Sequence, residues 1–197
     1  MRYSSEAWII GSSIIHWAHR AAISPPQGQN LGLNEIGINL RWLGVRGMRW
    51  SQLLPKVSTL LAQHPPPDIL IIHVGANDIL SIPSKTLAAN IQTDLATIRQ
   101  RLELTMLVWS DLLPRLIWSH SENTKAMEKT RKRINRIGGS TCIRLGGRRI
   151  LHPAVTHLEP KLYRSDGVHL SDIGNQTFLR KIKLALCTFV STEDALI

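Results

Sequence analysis

Short apolar runs alternate with longer amphipathic stretches along this chain. Residues 7–10 form a brief run that stops at Gly11. Residues 36–43 alternate loosely between apolar and polar. Residues 68–74 read D-I-L-I-I-H-V, nearly all apolar, directly after Pro65-Pro66-Pro67. Residues 105–109 form a similar run and residues 149–151 a weaker fifth. Near-continuous apolar runs of this length fit strands covered on both faces, as in a parallel sheet. Between them the spacing turns helical. Trp50, Leu53, Leu54, Val57, Leu60 and Leu61 share one face, and Leu87, Ile91, Leu95, Ile98 and Leu102 form a clean stripe. Met127, Thr130, Ile134 and Ile137 form a third, with Lys132, Arg133 and Arg136 off the stripe; Gly138-Gly139 is expected to end it. Ser171 is the expected N-cap of a last helix carrying Ile173, Phe178, Ile182 and Leu186. Strand–helix alternation of this kind predicts an α/β fold, a parallel sheet with helices on both faces.

Length and composition narrow this further. The 197 residues suit a single domain over 1–190, with a polar, fraying tail at 191–197. With 43% hydrophobic and 19% charged residues, the chain is too apolar for disorder and can bury a sizeable core. Cys142 and Cys187 are too few to staple a secreted scaffold and are expected to pack as small hydrophobes. No apolar run approaches the ~18 residues of a membrane span. The first apolar stretch makes a poor signal peptide, because Gly11, Ser12 and Ser13 break it and His16 and His19 follow. The expected setting is reducing, intracellular and cytoplasmic.

Charge is the unusual feature. The formal net is +10, and residues 125–149 alone hold nine basic groups and one acid, Glu128. One face must be strongly positive. Such a field attracts anionic membrane or RNA, while a solvated basic helix that aids solubility is an equally good reading.

In a parallel sheet, chemistry gathers where strands end and helices begin. Four such junctions carry suggestive residues. At Gly11-Ser12-Ser13-Ile14 a glycine permits a sharp turn, and a serine would sit in the positive end of the next helix; taken alone, this junction favours both serines as simple caps. At Gly44-Val45-Arg46-Gly47 two glycines mark either a turn or a close backbone approach to a ligand. At His73-Val74-Gly75-Ala76-Asn77-Asp78, Asn77 offers an amide donor, although an Asx turn explains it as well; His73 reads as a packed histidine. At Asp166-Gly167-Val168-His169 an aspartate three residues before a histidine could orient the imidazole. The other histidines (His16, His19, His64, His120, His152 and His157) lack metal-type spacing, so no metal or cofactor is expected. Together the junctions supply a hydroxyl, oxyanion donors, a base and an orienter at successive strand ends.

This set resembles the SGNH, or GDSL, hydrolases. Gly11-Ser12-Ser13-Ile14 resembles their first block, Gly47 their second, Gly75-Ala76-Asn77-Asp78 their third and Asp166-Gly167-Val168-His169 their fifth. The resemblance spans residues 7 to 186. It implies a three-layer αβα sandwich with a flavodoxin-like five-stranded parallel sheet. It also implies Ser13 as nucleophile, His169 as general base, Asp166 as its orienter, and an oxyanion hole from the Ser13 N–H, the Gly47 N–H and the Asn77 amide. The family commonly has Asp where this chain has Ser12; position after the strand favours Ser13 over Ser12 as the attacking group. Within the family the tryptophan-rich early blocks and the basic late helix look most like the esterase domain of vertebrate LINE-type retrotransposon first-open-reading-frame proteins. That likeness implies acyl-ester or lipid substrates and contact with RNA or membrane.

The expected activity is hydrolysis of acyl esters, acetyl or lipid, through an acyl-enzyme. Trp8, Trp42 and Trp109 fall in or beside strands and are expected in the core. Trp17 and Trp50 follow the first two junctions; core packing is the favoured role for either, and the other reading is that they line an acyl groove or meet a lipid interface. Arg46 and Arg49 flank Gly47 and could meet an anionic head group or simply be solvated. Two other readings stay open. One is a binding module with a relic site, and the other a carbohydrate deacetylase, thioesterase or lysophospholipase of the same fold. Oligomeric state is not readable from the sequence.

Overall fold

A computed structural model of the chain describes residues 4–24, 28–118, 121 and 123–193. Five strands, β1 (Ser5–Gly11), β2 (Ile38–Gly44), β3 (Ile69–His73), β4 (Met106–Ser110) and β5 (Arg148–Ile150), form one sheet in the order β2-β1-β3-β4-β5. Every pairing is parallel. This is the expected flavodoxin-like order, with its switch point between β1 and β3. The register sets Gly11 opposite both Gly44 and His73, so three strands end level with one another.

Alternation along the strands divides the core into two layers. Ala7, Ile9, Ile69, Ile71 and Val108 face α1 (Ser13–Ala22) and α5 (Asp172–Glu193), burying Ile15, Ala18, Phe178, Ile182 and Leu186. Trp8, Ile10, Leu70, Ile72, Leu107 and Trp109 face the other way. They pack on α2 (Leu53–Leu61), α3 (Ser84–Arg101) and α4 (Thr124–Arg144). Trp8 and Trp109 are fully buried, as expected. Trp42 is half-buried and stacks on the His19 ring at 5.6 Å. The Cys142 thiol is buried in the second layer, and burial pushes its pKa up to about 11.

Several boundaries depart from the sequence expectation. Residues 33–36 form a short 3-10 turn and β2 starts only at Ile38. Trp50 opens another 3-10 turn ahead of α2. Ile173 is exposed on α5 rather than on its buried stripe. Ser171 does cap α5, its Oγ accepting from the Gly174 N–H at 3.2 Å. The stretch expected as a frayed tail includes 194–197, which lie outside the described residues, as does His120.

The largest correction concerns Gly138 and Gly139. They do not end α4, which runs on to Arg144 before Gly146 turns the chain at φ +78°. A Cβ on Gly138 would sit 2.5 Å from the Trp109 ring, and one on Gly139 would collide with the Arg149 side chain. The two glycines therefore let α4 lie close against β4 and β5. Gly138→Ala should destabilise the fold by about 1–3 kcal/mol through overpacking, despite alanine's better helix propensity. Urea unfolding followed by circular dichroism measures this; an unchanged or raised midpoint would show that the helix can move away freely.

Candidate functional site

The site sits at the C-terminal edge of β2, β1 and β3. Gly11 ends β1 because any side chain there would collide with Ile15 and press on the His73 carbonyl. The chain then enters α1 through Ser12, its buried N-cap residue, and Ser13 is the first helical residue. Its N–H lies in the helix's unpaired first turn, at the positive end of the dipole. Backbone bonds join the junctions. Val45 N–H donates to the Gly11 carbonyl at 2.8 Å, tying the first loop to the second. The Asn77 amide Nδ2 donates to the Met48 carbonyl at 3.0 Å, tying the second to the third. Gly47 takes φ +73° in that second loop, a left-handed conformation that a side chain would disfavour.

Ser13 Oγ lies 2.9 Å from His169 Nε2, and His169 Nδ1 lies 2.7 Å from Asp166 Oδ2. A carboxylate only accepts, so Nδ1 carries the proton facing Asp166. In the neutral ring Nε2 is then free to accept from the Ser13 hydroxyl. The other Asp166 oxygen, Oδ1, accepts from the Val168 and His169 backbone N–H groups at 2.8 and 2.9 Å. Partial burial pushes the Asp166 carboxyl up, but these bonds and the His169 ring outweigh it and hold the pKa at about 2. The arrangement can keep a hydroxyl, an imidazole and an ionised carboxylate in one hydrogen-bonded line at neutral pH. It brings together residues 156 positions apart in the chain.

The flanking candidates divide. Trp17, one turn beyond Ser13, is half-buried, with the Arg164 guanidinium 4.1 Å over its ring. Arg46 and Arg49 are exposed. Trp50 is not available to line a groove. It is 1% exposed, its N–H donates to Asp78 Oδ2 at 2.9 Å, and its indole N–H donates to Asp94 at 2.7 Å. Satisfying both polar groups internally lets this large ring sit in the core beside Trp109. Asp78 is correspondingly buried; burial raises its pKa, with the Trp50 N–H and the Arg49 charge opposing.

Arg115 is a site residue that the four junctions miss. It follows β4, inside the apolar stretch Leu112-Leu113-Pro114-Arg115-Leu116. Its Nη2 donates to Asn77 Oδ1 at 3.0 Å. A lone cation in an apolar run at a strand end is the signal that marks it. The same segment braces the triad loop, since the Leu116 and Ile117 N–H groups both donate to the Gly167 carbonyl, at 2.8 and 3.2 Å.

Beneath the sheet edge, Ser110 Oγ lies 3.1 Å from His73 Nδ1 and 2.8 Å from His152 Nε2. All three groups are buried. Burial pushes His73 down to about 4; burial, and then His73, push His152 well below its ordinary value. His73 is thus a packed histidine, as expected from its place on the strand. Among the described residues no group of three or more His, Cys, Asp or Glu is placed to hold a metal ion, and no helix is long and apolar enough to cross a membrane.

A five-stranded αβα sheet with a Ser–His–Asp line at its switch-point edge is the architecture of an SGNH hydrolase. The profile of the GDSL-like Lipase/Acylhydrolase family matches residues 9–177, and the chain belongs to that family, whose members are serine hydrolases acting on carboxylic esters. No curated protein matches the chain. Among solved structures it is similar to an acetylxylan esterase from Geobacillus stearothermophilus, at 16% identity and TM-score 0.71, over 92% of this chain and 94% of that one. It is also similar to an α/β hydrolase from the metagenome of Lake Arreo, Spain, at 12% identity and TM-score 0.69, over 94% and 96%. Structures of the acetylxylan esterase include catalytic mutants at one serine, one aspartate and one histidine, the last two three residues apart.

His73 and His152 are kept neutral in the folded state, whereas the unfolded chain protonates them near 6.5. Folded molecules therefore bind fewer protons than unfolded ones below that pH, and stability falls as pH drops from about 6.5 through about 4. The slope should reach about 1.4 kcal/mol per pH unit for each histidine. Denaturant midpoints measured between pH 7 and 4.5 check this; a flat profile would refute it.

Proposed function

We propose that Ser13 is the nucleophile of a two-step acyl transfer, His169 its general base and Asp166 the group that orients His169. The observation that carries this is the unbroken Ser13–His169–Asp166 hydrogen-bonded line. Ser13 Oγ attacks the ester carbonyl while His169 Nε2 takes its proton. The imidazolium, stabilised by Asp166, passes that proton to the departing alcohol. Water then attacks the acyl-enzyme by the same route and frees Ser13. The carbonyl oxygen that becomes negative is stabilised by the Ser13 N–H, the Gly47 N–H and the second hydrogen of the Asn77 amide. The mutants of the acetylxylan esterase, with the same Asp–His spacing, support the assignment.

For substrate, acetyl and other short acyl esters are the first class to test, with a lipid ester as the second. A specific observation favours an anionic substrate or surface. Lys125, Lys129, Lys132 and Arg136 are all exposed, and their spacing puts them on one face of α4. Of the basic groups in α4, Arg131 alone forms an ion pair among the described residues, with Glu128 at 2.8 Å. Lys125, Lys129 and Lys132 line a depression of about 490 Å3 with His157 and Arg115. This stripe and the tryptophan-rich early blocks support the retrotransposon-type esterase domain as the branch of the family, with anionic membrane or RNA as partner.

Ser13→Ala should lower kcat/KM on a short-chain aryl ester by about 1000-fold or more, and Asn77→Ala by about 100-fold, near 3 kcal/mol. Turnover in Ser13→Ala equal to wild type would remove Ser13 from the chemistry. The combined Lys125→Glu, Lys129→Glu and Lys132→Glu variant should leave aryl-ester turnover intact but lose cosedimentation with phosphatidylserine vesicles or retention of RNA on a filter. Unchanged retention in both assays would leave the stripe a solvated surface.

A further inference from the structure

We infer that Arg115 is a positioning residue that fixes which end of the Asn77 amide faces the oxyanion, an inference that rests on the proposed role of Asn77. An amide side chain has one donor end and one acceptor end, and turning it over would aim an oxygen at the developing negative charge. Two contacts prevent this. The Arg115 guanidinium, which can only donate, holds Asn77 Oδ1 at 3.0 Å, and the Met48 carbonyl, which can only accept, takes one Nδ2 hydrogen at 3.0 Å. The flipped amide would set acceptor against acceptor at Met48 and donor against donor at Arg115. The remaining Nδ2 hydrogen is left for the substrate.

Arg115 is itself held for this task. Its guanidinium carbon lies 4.9 Å from the ring centroid of the buried Trp118. Among the described residues no carboxylate lies within ion-pair distance of it, although Asp166 is near enough for its charge to favour the guanidinium. Burial lowers the Arg115 pKa and Asp166 opposes that. The cation therefore polarises the amide it holds. Among the described residues its side-chain hydrogen bond goes to Asn77.

The test is a double-mutant cycle on kcat and KM for a neutral aryl ester. Arg115→Met in the otherwise native protein should lower kcat about tenfold or more with KM within twofold, because the contact matters only when charge develops. In the Asn77→Ala protein the same substitution should change kcat by less than about threefold, since the group it positions is gone. A loss that is equal in both backgrounds, or absent in both, would overturn the inference and leave the role of Asn77 standing. Full activity of Asn77→Ala alone would overturn the role of Asn77 and this inference with it. If Arg115→Met does not fold, the cycle is read with Arg115→Lys, which keeps the charge and loses the planar fork; a smaller loss is expected, again confined to the background that retains Asn77.

Discussion

The hydrogen bond between Ser13 Oγ and His169 Nε2 depends on everything between its two ends. One residue opens the first helix and the other closes the loop before the last. They meet because α1 and α5 lie on the same face of the sheet, where Ile15, Ala18, Phe178 and Ile182 share one apolar layer. The bond is short only if that layer is filled and β1 ends level with its neighbours. Gly11 supplies the second condition, since a bulkier residue would push β1 away from α1 and β3. The chemistry of the edge is thus governed by packing in the layer below it.

Electrostatics then sorts the groups at that edge. Asp166 is half-exposed yet strongly acidic, because two backbone N–H groups and an imidazole all point at it. The histidines one layer down have lowered pKa values because they are buried, with Ser110, the Phe178 ring and each other as neighbours.

Much of this was legible in the residue pattern, for physical reasons. The run at 68–74 can bury both faces only in the middle of a parallel sheet, and β3 lies there. Asp166 and His169 are close in sequence, so their spacing alone predicts contact. What escaped depends on tertiary approach. Gly138-Gly139 has the local signature of a helix end, and only the Trp109 ring against it shows why glycine is needed in the middle of α4. Trp50 is in the core, the reading its apolar pattern favoured, but the partners that fix it there, Asp78 and Asp94, are distant in sequence and could not be read from it. Arg115 was hidden because its partner lies 38 positions earlier, on another strand's loop.

The brace of Leu116 and Ile117 on Gly167 has a wider meaning. The segment bearing His169 connects β5 to α5, and it is held in part by a segment that leaves the sheet from the neighbouring strand β4. Ile117 also sits against Gly167 so closely that a methyl group there would collide with it. The position of the imidazole is thus tied to the β4 edge of the sheet as well as to β5, and a change at Ile117 would be felt at His169 through Gly167.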